Sequence, residues 1–207
     1  MYRIIFATGN QGKMREIRAI LQDTGAEILS MKEAGAFLEI VEDGKSFTEN
    51  AVIKAKAVAQ MLSQKNEFRD DCVVLADDSG LEIDCLDGEP GIYSARYLGE
   101  DTPFRVKSQD FLRRLEGVEE EKRSARFVCA IAAVWPDGEV NTTLGTIEGR
   151  IGYELKGDNG FGYDPIFYLP EYGRTAAELS DDEKNQISHR SRALEQIKPE
   201  LMKRMSR

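Results

Sequence analysis

The hydrophobic and polar residues of the chain follow two periods, one typical of strands and one typical of helices. Continuous apolar runs predict strands that are covered on both faces. Apolar residues that recur every three or four positions predict helices, and Gly, Pro or acidic residues separate the segments. The predicted strands cover residues 2–7, 26–31, 37–41, 72–76, 125–135 and 140–151, the last two joined as a hairpin, with alternating character over 81–86.

The remaining apolar pattern predicts four helices, two of which begin with a recognisable cap. Residues 46–49 and 180–183 both have the Ser-x-x-Glu spacing of a capping box. We expect the helix that begins near residue 180 to kink or end at Pro199, because proline has no backbone N–H. The other two helices are predicted over residues 13–22 and 104–115, and residues 116–124 are predicted to form a charged, exposed loop.

Length and composition are those of an ordinary globular protein. The 207 residues, 41% apolar and 31% charged, fit a single domain over residues 1–207 that can have two lobes. The longest uncharged run, residues 127–136, is too short to cross a bilayer, and the first apolar run is too short for a signal peptide. Three widely spaced cysteines predict free thiols and therefore a cytoplasmic location.

The net charge of −9 argues against partners that need a basic surface. Nucleic acids and membrane surfaces are therefore not expected as partners, whereas a small polyanion stays possible because salt screens distant charges. The only histidine is His189, which excludes a site with several histidine ligands. A metal would be held mainly by carboxylates, as Mg²⁺ is.

Residues 7–13 lie between a predicted strand and a predicted helix. Because the first N–H groups of a helix lack partners and its dipole favours negative charge, this turn can bind phosphate. Gly9 and Gly12 allow a positive φ and a close backbone approach, and Lys13 adds a cation. The alternative is an ordinary turn in which Lys13 points to water. The spacing does not match a Walker loop.

Acidic residues follow the best predicted strand. Asp77 and Asp78 come directly after residues 72–76, at the end of a strand where α/β sheets bind ligands. Since strand side chains alternate, the two should point to opposite faces, one holding a metal and the other serving the structure. An Asx turn is the alternative. Asn50 and Lys54, spaced i, i+4, could share one target or could be a solvated helix flank.

The Gly-Phe-Gly-Tyr-Asp-Pro sequence of residues 160–165 predicts a loop with two exposed aromatic side chains. Phe161 and Tyr163 would suit stacking on a flat base, and Asp164 could accept hydrogen bonds from it. The alternative is a hydrophobic plug beneath the loop.

The last predicted helix carries a group of cationic and polar residues. Lys184 lies upstream of His189 and Arg190, and these two lie between Ser188 and Ser191. A lone histidine is usually structural, but these neighbours favour a functional role. Phosphate-binding cations, carboxylates for Mg²⁺ and aromatic rings for a base together indicate a metal-assisted nucleotide hydrolase.

These motifs, in this order, resemble the inosine triphosphate pyrophosphatase family, above all its bacterial XTP/dITP diphosphatase branch. The likeness spans nearly the whole chain and has no departure at a motif position. The matching positions are Thr8, Gly9, Asn10, Gly12 and Lys13; Glu42; Phe47, Glu49, Asn50, Ala51 and Lys54; residues 77–81; residues 90–96; residues 161–165; and Ser188, His189 and Arg190.

The resemblance implies an α/β fold with a long curved mixed sheet flanked by helices, and two lobes with an active-site cleft between them. It implies a homodimer that requires Mg²⁺ and hydrolyses ITP, dITP and XTP to the monophosphate and pyrophosphate. Asp78 would be the catalytic base and, with Glu42, a metal ligand. The residues that would bind substrate are Thr8, Gly9, Asn10, Gly12, Lys13 and Ser79 at the triphosphate, and Phe161, Gly162, Tyr163, Asp164, Lys184, His189 and Arg190 at the base.

Two other functions use the same residues. A nucleotide-binding module would bind ITP without forming a product. A general NTPase would release orthophosphate first.

Overall fold

The computed structural model describes residues 1–206, which form seven strands and five α-helices. The strands are β1 (Arg3–Phe6), β2 (Glu27–Ser30), β3 (Cys72–Ile83), β4 (Ser124–Val134), β5 (Val140–Ile151), β6 (Phe167–Leu169) and β7 (Arg174–Thr175). The α-helices are α1 (Gln11–Leu21), α2 (Phe47–Gln64), α3 (Phe104–Arg114), α4 (Asp181–Ile187) and α5 (His189–Met205).

All seven strands belong to one mixed sheet in the order β2-β1-β3-β4-β5-β6-β7. β1 is parallel to both of its neighbours, with Arg3 opposite Glu27 in β2 and opposite Cys72 in β3. At the other edge, β6 is antiparallel to β5 and to β7. The α/β class with a mixed sheet is therefore confirmed. Within the described residues, no helix is both long and apolar enough to span a membrane.

The chain divides into two compact units. Unit 1 contains residues 1–78, 129–145 and 189–206, and unit 2 contains residues 79–128 and 146–188. Each unit has its own hydrophobic core. The two lobes and the cleft that the resemblance implies stay predictions.

The core of unit 1 forms where α1 and α5 cover one face of the sheet. Val73 and Leu75 of β3 pack there with apolar residues of both helices, such as Ile17 and Leu194. Because strand side chains alternate, the next position on this face of β3 is that of Asp77. The hydrophobic pattern of β3 thus fixes which carboxylate meets α1 and α5.

The core of unit 2 is rich in aromatic residues. Phe111 of α3, Phe127 of β4 and Phe167 of β6 are buried there with Tyr163. Arg123 is also buried, because its guanidinium donates hydrogen bonds to the carbonyl oxygens of residues 115, 151 and 152. The prediction that the whole segment 116–124 is exposed was therefore wrong at this residue.

Two strand predictions were wrong, one because the strand is absent and one because the strand is longer. Residues 37–41 form no strand, and their apolar side chains Phe37 and Val41 are exposed, so no sheet face covers them. β3 does not end at residue 76 but continues through Asp77 and Asp78 to Ile83. Charged partners on both faces of the strand, described below, keep these two carboxylates within it. The acids therefore lie in the middle of a strand and not at its end.

The last predicted helix is interrupted at Ser188, whose extended ψ of 153° separates α4 from α5. The predicted capping box is present, since the Ser180 side chain and Glu183 cap α4 reciprocally. Pro199 does not end the helix, because α5 continues to Met205 and buries Leu201 in the core of unit 1. That burial compensates for the hydrogen bond that proline cannot make.

Candidate active site

The loop before α1 is held in place by its own side chains. Asn10 is the N-cap, and its Oδ1 accepts a hydrogen bond from the backbone N–H of Lys13 at 3.1 Å. The hydroxyl of Thr8 accepts one from the N–H of Asn10 at 3.2 Å. These bonds fix the first turn of α1, so its N–H groups and its positive dipole end have a defined direction.

The two glycines of this loop do not adopt the predicted conformation. Neither Gly9 nor Gly12 has a positive φ, and Gly12 already belongs to α1. A Cβ atom built on Gly9 meets no atom within 4 Å, so the space beside it is open. The positive-φ argument was wrong, while the close approach of a ligand to this loop stays a prediction.

Asp77 lies at the centre of an ionic cluster within unit 1. Its Oδ2 is 2.9 Å from Nζ of Lys13 and accepts hydrogen bonds from Nε and Nη2 of Arg190 at 3.4 and 3.2 Å. Arg190 also forms an ion pair with Glu16 of α1. Asp77 and Arg190 are each only 1% exposed. This carboxylate therefore joins α1, β3 and α5.

Asp78 faces the other side of β3 and meets α2. Its Oδ2 accepts a hydrogen bond from Nδ2 of Asn50 at 3.0 Å, and its Oδ1 lies 3.4 Å from Nζ of Lys54. The same ammonium lies 3.1 Å from Oε2 of Glu42. Of the two alternatives for Asn50 and Lys54, the shared target is correct and the solvated helix flank is wrong. The expectation that Asp77 and Asp78 point to opposite faces is confirmed as well.

Asn50 also anchors the loop that carries Glu42. Its Oδ1 accepts a hydrogen bond from the backbone N–H of Gly44 at 2.9 Å. A Cβ atom on Gly44 would lie only 2.7 Å from that oxygen and 2.8 Å from Cβ of Glu49, so a side chain does not fit there. One buried amide thus fixes Asp78 and the acidic loop together.

The two neighbouring aspartates differ in acidity. Burial alone would raise the pKa of Asp77, but the charges of Lys13 and Arg190 outweigh it and hold that pKa well below its usual range. Burial raises the pKa of Asp78, and Lys54 and Asn50 offset this only in part. Asp78 is consequently the stronger base of the two.

In unit 2, Asp164 and Lys184 form the charged pair beneath the glycine-containing loop. Oδ2 of Asp164 lies 2.7 Å from Nζ of Lys184 and accepts a hydrogen bond from the backbone N–H of Phe161 at 2.8 Å. The Lys184 ammonium is also 4.7 Å from the centroid of the Phe161 ring. Gly160 and Gly162 both have positive φ. The pair therefore fixes the Phe161 ring, which is partly exposed.

Tyr163 is not an exposed loop aromatic. Its side chain is buried, its hydroxyl donates to the carbonyl oxygen of Ser94, and its ring packs edge-on against Phe104 and Phe111. The alternative of a hydrophobic plug was correct for this residue, and its predicted exposure was wrong. Phe161 is left as the ring of the loop that a ligand can reach.

Two predicted site residues remain, one in each unit. His189 is buried as the first residue of α5 in unit 1, and Ser79 lies in β3 at the start of unit 2. The sequence analysis missed Glu16, the second carboxylate bound to Arg190. Its position three residues after Lys13 on α1 places both side chains on one helix face, which was the available signal.

Comparison with known proteins decides the family. A family model described as the Ham1 family matches residues 4–200. The chain belongs to the Ham1 family. The Clostridium perfringens relative, named dITP/XTP pyrophosphatase, is 47% identical over 201 residues, which are 97% of this chain and 98% of that protein. A Bacillus subtilis relative of the same name is 46% identical over 197 residues, 95% of this chain and 96% of its own length.

Solved Ham1 structures agree with the fold. The HAM1 protein from Coxiella burnetii matches with a TM-score of 0.85 at 40% identity, covering 98% of this chain and 100% of that chain. The Staphylococcus aureus Ham1 protein matches with a TM-score of 0.83 at 40% identity, covering 96% and 97%. The resemblance read from the motifs is thereby confirmed as family membership.

Proposed function

We propose that this Ham1-family chain is a dITP/XTP pyrophosphatase, which hydrolyses ITP, dITP and XTP to the monophosphate and pyrophosphate. The relatives with that name match it from end to end at close to half of all positions. The structural observation that carries the proposal is the pairing of Glu42 and Asp78 around Lys54, in the same unit as the capped N-terminus of α1.

The triphosphate would bind at the start of α1. The first turn offers the backbone N–H groups of Gln11 and Gly12, since that of Lys13 is bound by Asn10, and the Lys13 side chain adds a formal positive charge. Thr8, Gly9 and Asn10 form the loop that leads into this turn, and Ser79 would contribute its hydroxyl from β3. Positioned cations and N–H groups stabilise the charge that develops on phosphate oxygens during the reaction.

The carboxylates of Glu42 and Asp78 fit a Mg²⁺ ion. Both approach the Lys54 ammonium, so this point of unit 1 already stabilises a positive charge between oxygen ligands. No group of three or more acidic, His or Cys side chains within residues 1–206 could enclose a metal. Mg²⁺ needs only one or two carboxylates when phosphate oxygens and water complete its shell. When bound, it would neutralise triphosphate charge.

Asp78 would take the proton from the attacking water. Its raised pKa makes it a better proton acceptor than an ordinary aspartate, and the bond from Asn50 fixes one carboxylate oxygen. Water would attack the α-phosphorus in line, the bond between the α-phosphorus and the bridging oxygen would break, and pyrophosphate would leave. Asp78 would hold the released proton.

The base would be recognised by the loop of residues 160–165. Phe161 offers a ring face, and its ring is fixed by Asp164 and Lys184. Gly162 gives that loop its positive-φ turn, while Tyr163 supports it from the core. Of the two proposed donors to a 6-oxo group, His189 is kept, whereas Arg190 is 1% exposed and its guanidinium is bound to Asp77 and Glu16. A purine with a 6-amino group would leave such donors unpaired, which can reject it by about 10⁴–10⁵.

A product assay tests this function. Purified protein is incubated with Mg²⁺ and ITP, XTP or GTP, and pyrophosphate and orthophosphate are measured separately. We expect pyrophosphate as the first product and faster turnover of ITP and XTP than of GTP. Orthophosphate as the first product would indicate a general NTPase. ITP binding without any product would indicate a binding module. Equal turnover of all three nucleotides would also contradict the proposal.

The same proposal includes a homodimer and a cytoplasmic location. The three cysteines within the described residues are free thiols, as is usual in a reducing compartment. Equilibrium sedimentation of the purified protein would measure its mass, and a monomer at all concentrations would exclude the dimer.

A further inference from the structure

Lys13 is the flexible member of the proposed phosphate site. A lysine side chain has four rotatable bonds, and holding it in one orientation costs about 1.5–2 kcal/mol of rotamer entropy. Its side chain here is 20% exposed, and its Nζ lies 2.9 Å from Oδ2 of Asp77. An ammonium has three N–H donors, so this contact leaves two for phosphate oxygens.

Asp77 has the rigidity that Lys13 lacks. It belongs to a central strand, is 1% exposed, and receives both Nε and Nη2 of Arg190 on the oxygen that faces Lys13. Arg190 is in turn paired with Glu16, which lies on α1 like Lys13. The ionic chain from Glu16 through Arg190 and Asp77 to Lys13 therefore begins and ends on one helix. It contains equal numbers of positive and negative charges.

We propose that Asp77 is a positioning residue, whose carboxylate holds the Lys13 ammonium in the orientation that receives the triphosphate. The proposal rests on the proposed function of the site. Asp77 faces α1 and α5, opposite to the Asn50 and Lys54 side that Asp78 faces. Its role differs from that of Asp78, since it acts through Lys13 and needs no contact with the reacting atoms.

The alternative is that the cluster only stabilises the fold. Breaking a buried ion pair costs about 3–5 kcal/mol whether or not the pair serves a ligand. Stability alone therefore cannot separate the two roles, and the test must include binding of the phosphate chain.

The experiment compares Asp77→Asn with Val73→Ala. Val73 is buried on the same face of β3 four residues earlier, so its truncation destabilises the same core without touching an ion pair. Binding of inorganic tripolyphosphate is measured by calorimetry, and KM and kcat for XTP are measured with Mg²⁺. We expect Asp77→Asn to weaken tripolyphosphate binding at least about tenfold and to raise KM. Val73→Ala should lower Tm but change binding less than about twofold.

A double-mutant cycle with Lys13→Met tests whether Asp77 affects tripolyphosphate binding through Lys13. If Asp77 acts through Lys13, then Lys13→Met should weaken tripolyphosphate binding in the wild-type background and change it little in the Asp77→Asn background. Unchanged binding in Asp77→Asn, or fully additive losses in the double variant, would overturn the proposal.

A measurement on the unaltered protein covers the case that Asp77→Asn does not fold. The Lys13 ammonium is observed by NMR in protein with ¹⁵N-labelled lysine, with its signal assigned through Lys13→Arg. We expect a restrained, slowly exchanging ammonium without ligand, and a freely reorienting one would overturn the proposal. Wild-type protein without pyrophosphate release would instead refute the proposed function, which this NMR result does not depend on.

Discussion

Asp77 and Asp78 are consecutive residues of β3, yet their carboxylates bind helices on opposite faces of that strand. Asp77 contacts Lys13 of α1 and Arg190 of α5, and Asp78 contacts Asn50 and Lys54 of α2. The first carboxylate is surrounded by cations and the second is only partly neutralised. β3 thereby presents a strongly ionised carboxylate on one face and a carboxylate that accepts a proton more readily on the other.

Replacing Asp78 with asparagine is expected to remove catalysis while ITP still binds. The amide has nearly the same shape but cannot accept the proton of the attacking water, and general-base catalysis contributes about 10²–10⁴-fold. Turnover of ITP should fall by at least this factor, while ITP affinity, measured by calorimetry, stays measurable. Lost binding with turnover retained would contradict the role given to Asp78.

Replacing Asn50 with alanine is expected to disturb both carboxylates at once. The variant loses the hydrogen bond to Asp78 and the one from Gly44, so Glu42 loses the anchor of its loop. The Mg²⁺ concentration that gives half-maximal turnover should rise several-fold more than in Asn185→Ala, which alters a partly exposed residue of α4. An equal Mg²⁺ requirement in both variants would refute the anchoring role.

Gly160→Ala should weaken substrate binding at the loop of residues 160–165 more than backbone strain alone explains. Gly160 has a φ of 77°, and its Cβ would overlap Oδ2 of Asp164 and approach Nζ of Lys184 within 3.0 Å. Gly138→Ala is the matched control, because Gly138 has a φ of 87° with open space around it. We expect a raised KM for XTP only in Gly160→Ala. Similar kinetics of the two variants would show that the Asp164–Lys184 pair does not shape the site.

The Asp164–Lys184 pair is expected to be strongly coupled in stability. Both side chains are less than 10% exposed, so Lys184→Met leaves a buried carboxylate without this partner. The free energy of unfolding should fall by about 3–5 kcal/mol. The double variant Asp164→Asn, Lys184→Met should be more stable than Lys184→Met alone, as measured by urea denaturation. A further loss in the double variant would contradict this coupling.

Glu33 should make the free energy of unfolding depend on pH in the acidic range. The backbone N–H and hydroxyl of Ser30, together with Arg18, lower the pKa of Glu33 from 4.5 to about 2. A carboxylate whose pKa is lower in the folded state stabilises the fold above its unfolded pKa, and this contribution is lost as pH falls through the folded value. The difference in free energy of unfolding between wild type and Glu33→Gln should therefore be largest above pH 5 and decrease towards pH 2.

The control for this titration is Glu121→Gln, which changes an exposed residue of the segment 116–124. Urea denaturation at several pH values measures all three proteins. A difference between wild type and Glu33→Gln that does not vary with pH would exclude the proposed linkage.

The outline of the fold was predictable because local patterns suffice for it. Ser46 and Ser180 cap the helices that their spacing predicts, and the hairpin of β4 and β5 follows from its turn. Local patterns failed at residues 37–41, where Phe37 and Val41 are exposed and no strand forms, and Pro199 does not end α5. No sheet face covers residues 37–41, whereas burial of Leu201 stabilises α5 beyond Pro199.

The sequence by itself determined the family, the α/β class and the residue types of the candidate site, because motif order and hydrophobic period are local properties of the chain. Only the tertiary structure decided the partners of each charge. Packing between residues far apart in sequence brings Lys13 and Arg190 to Asp77, and Asn50 and Lys54 to Asp78. It also buries Tyr163 in the core. A carboxylate's strength depends on its neighbours in space, and spacing along the chain does not specify them.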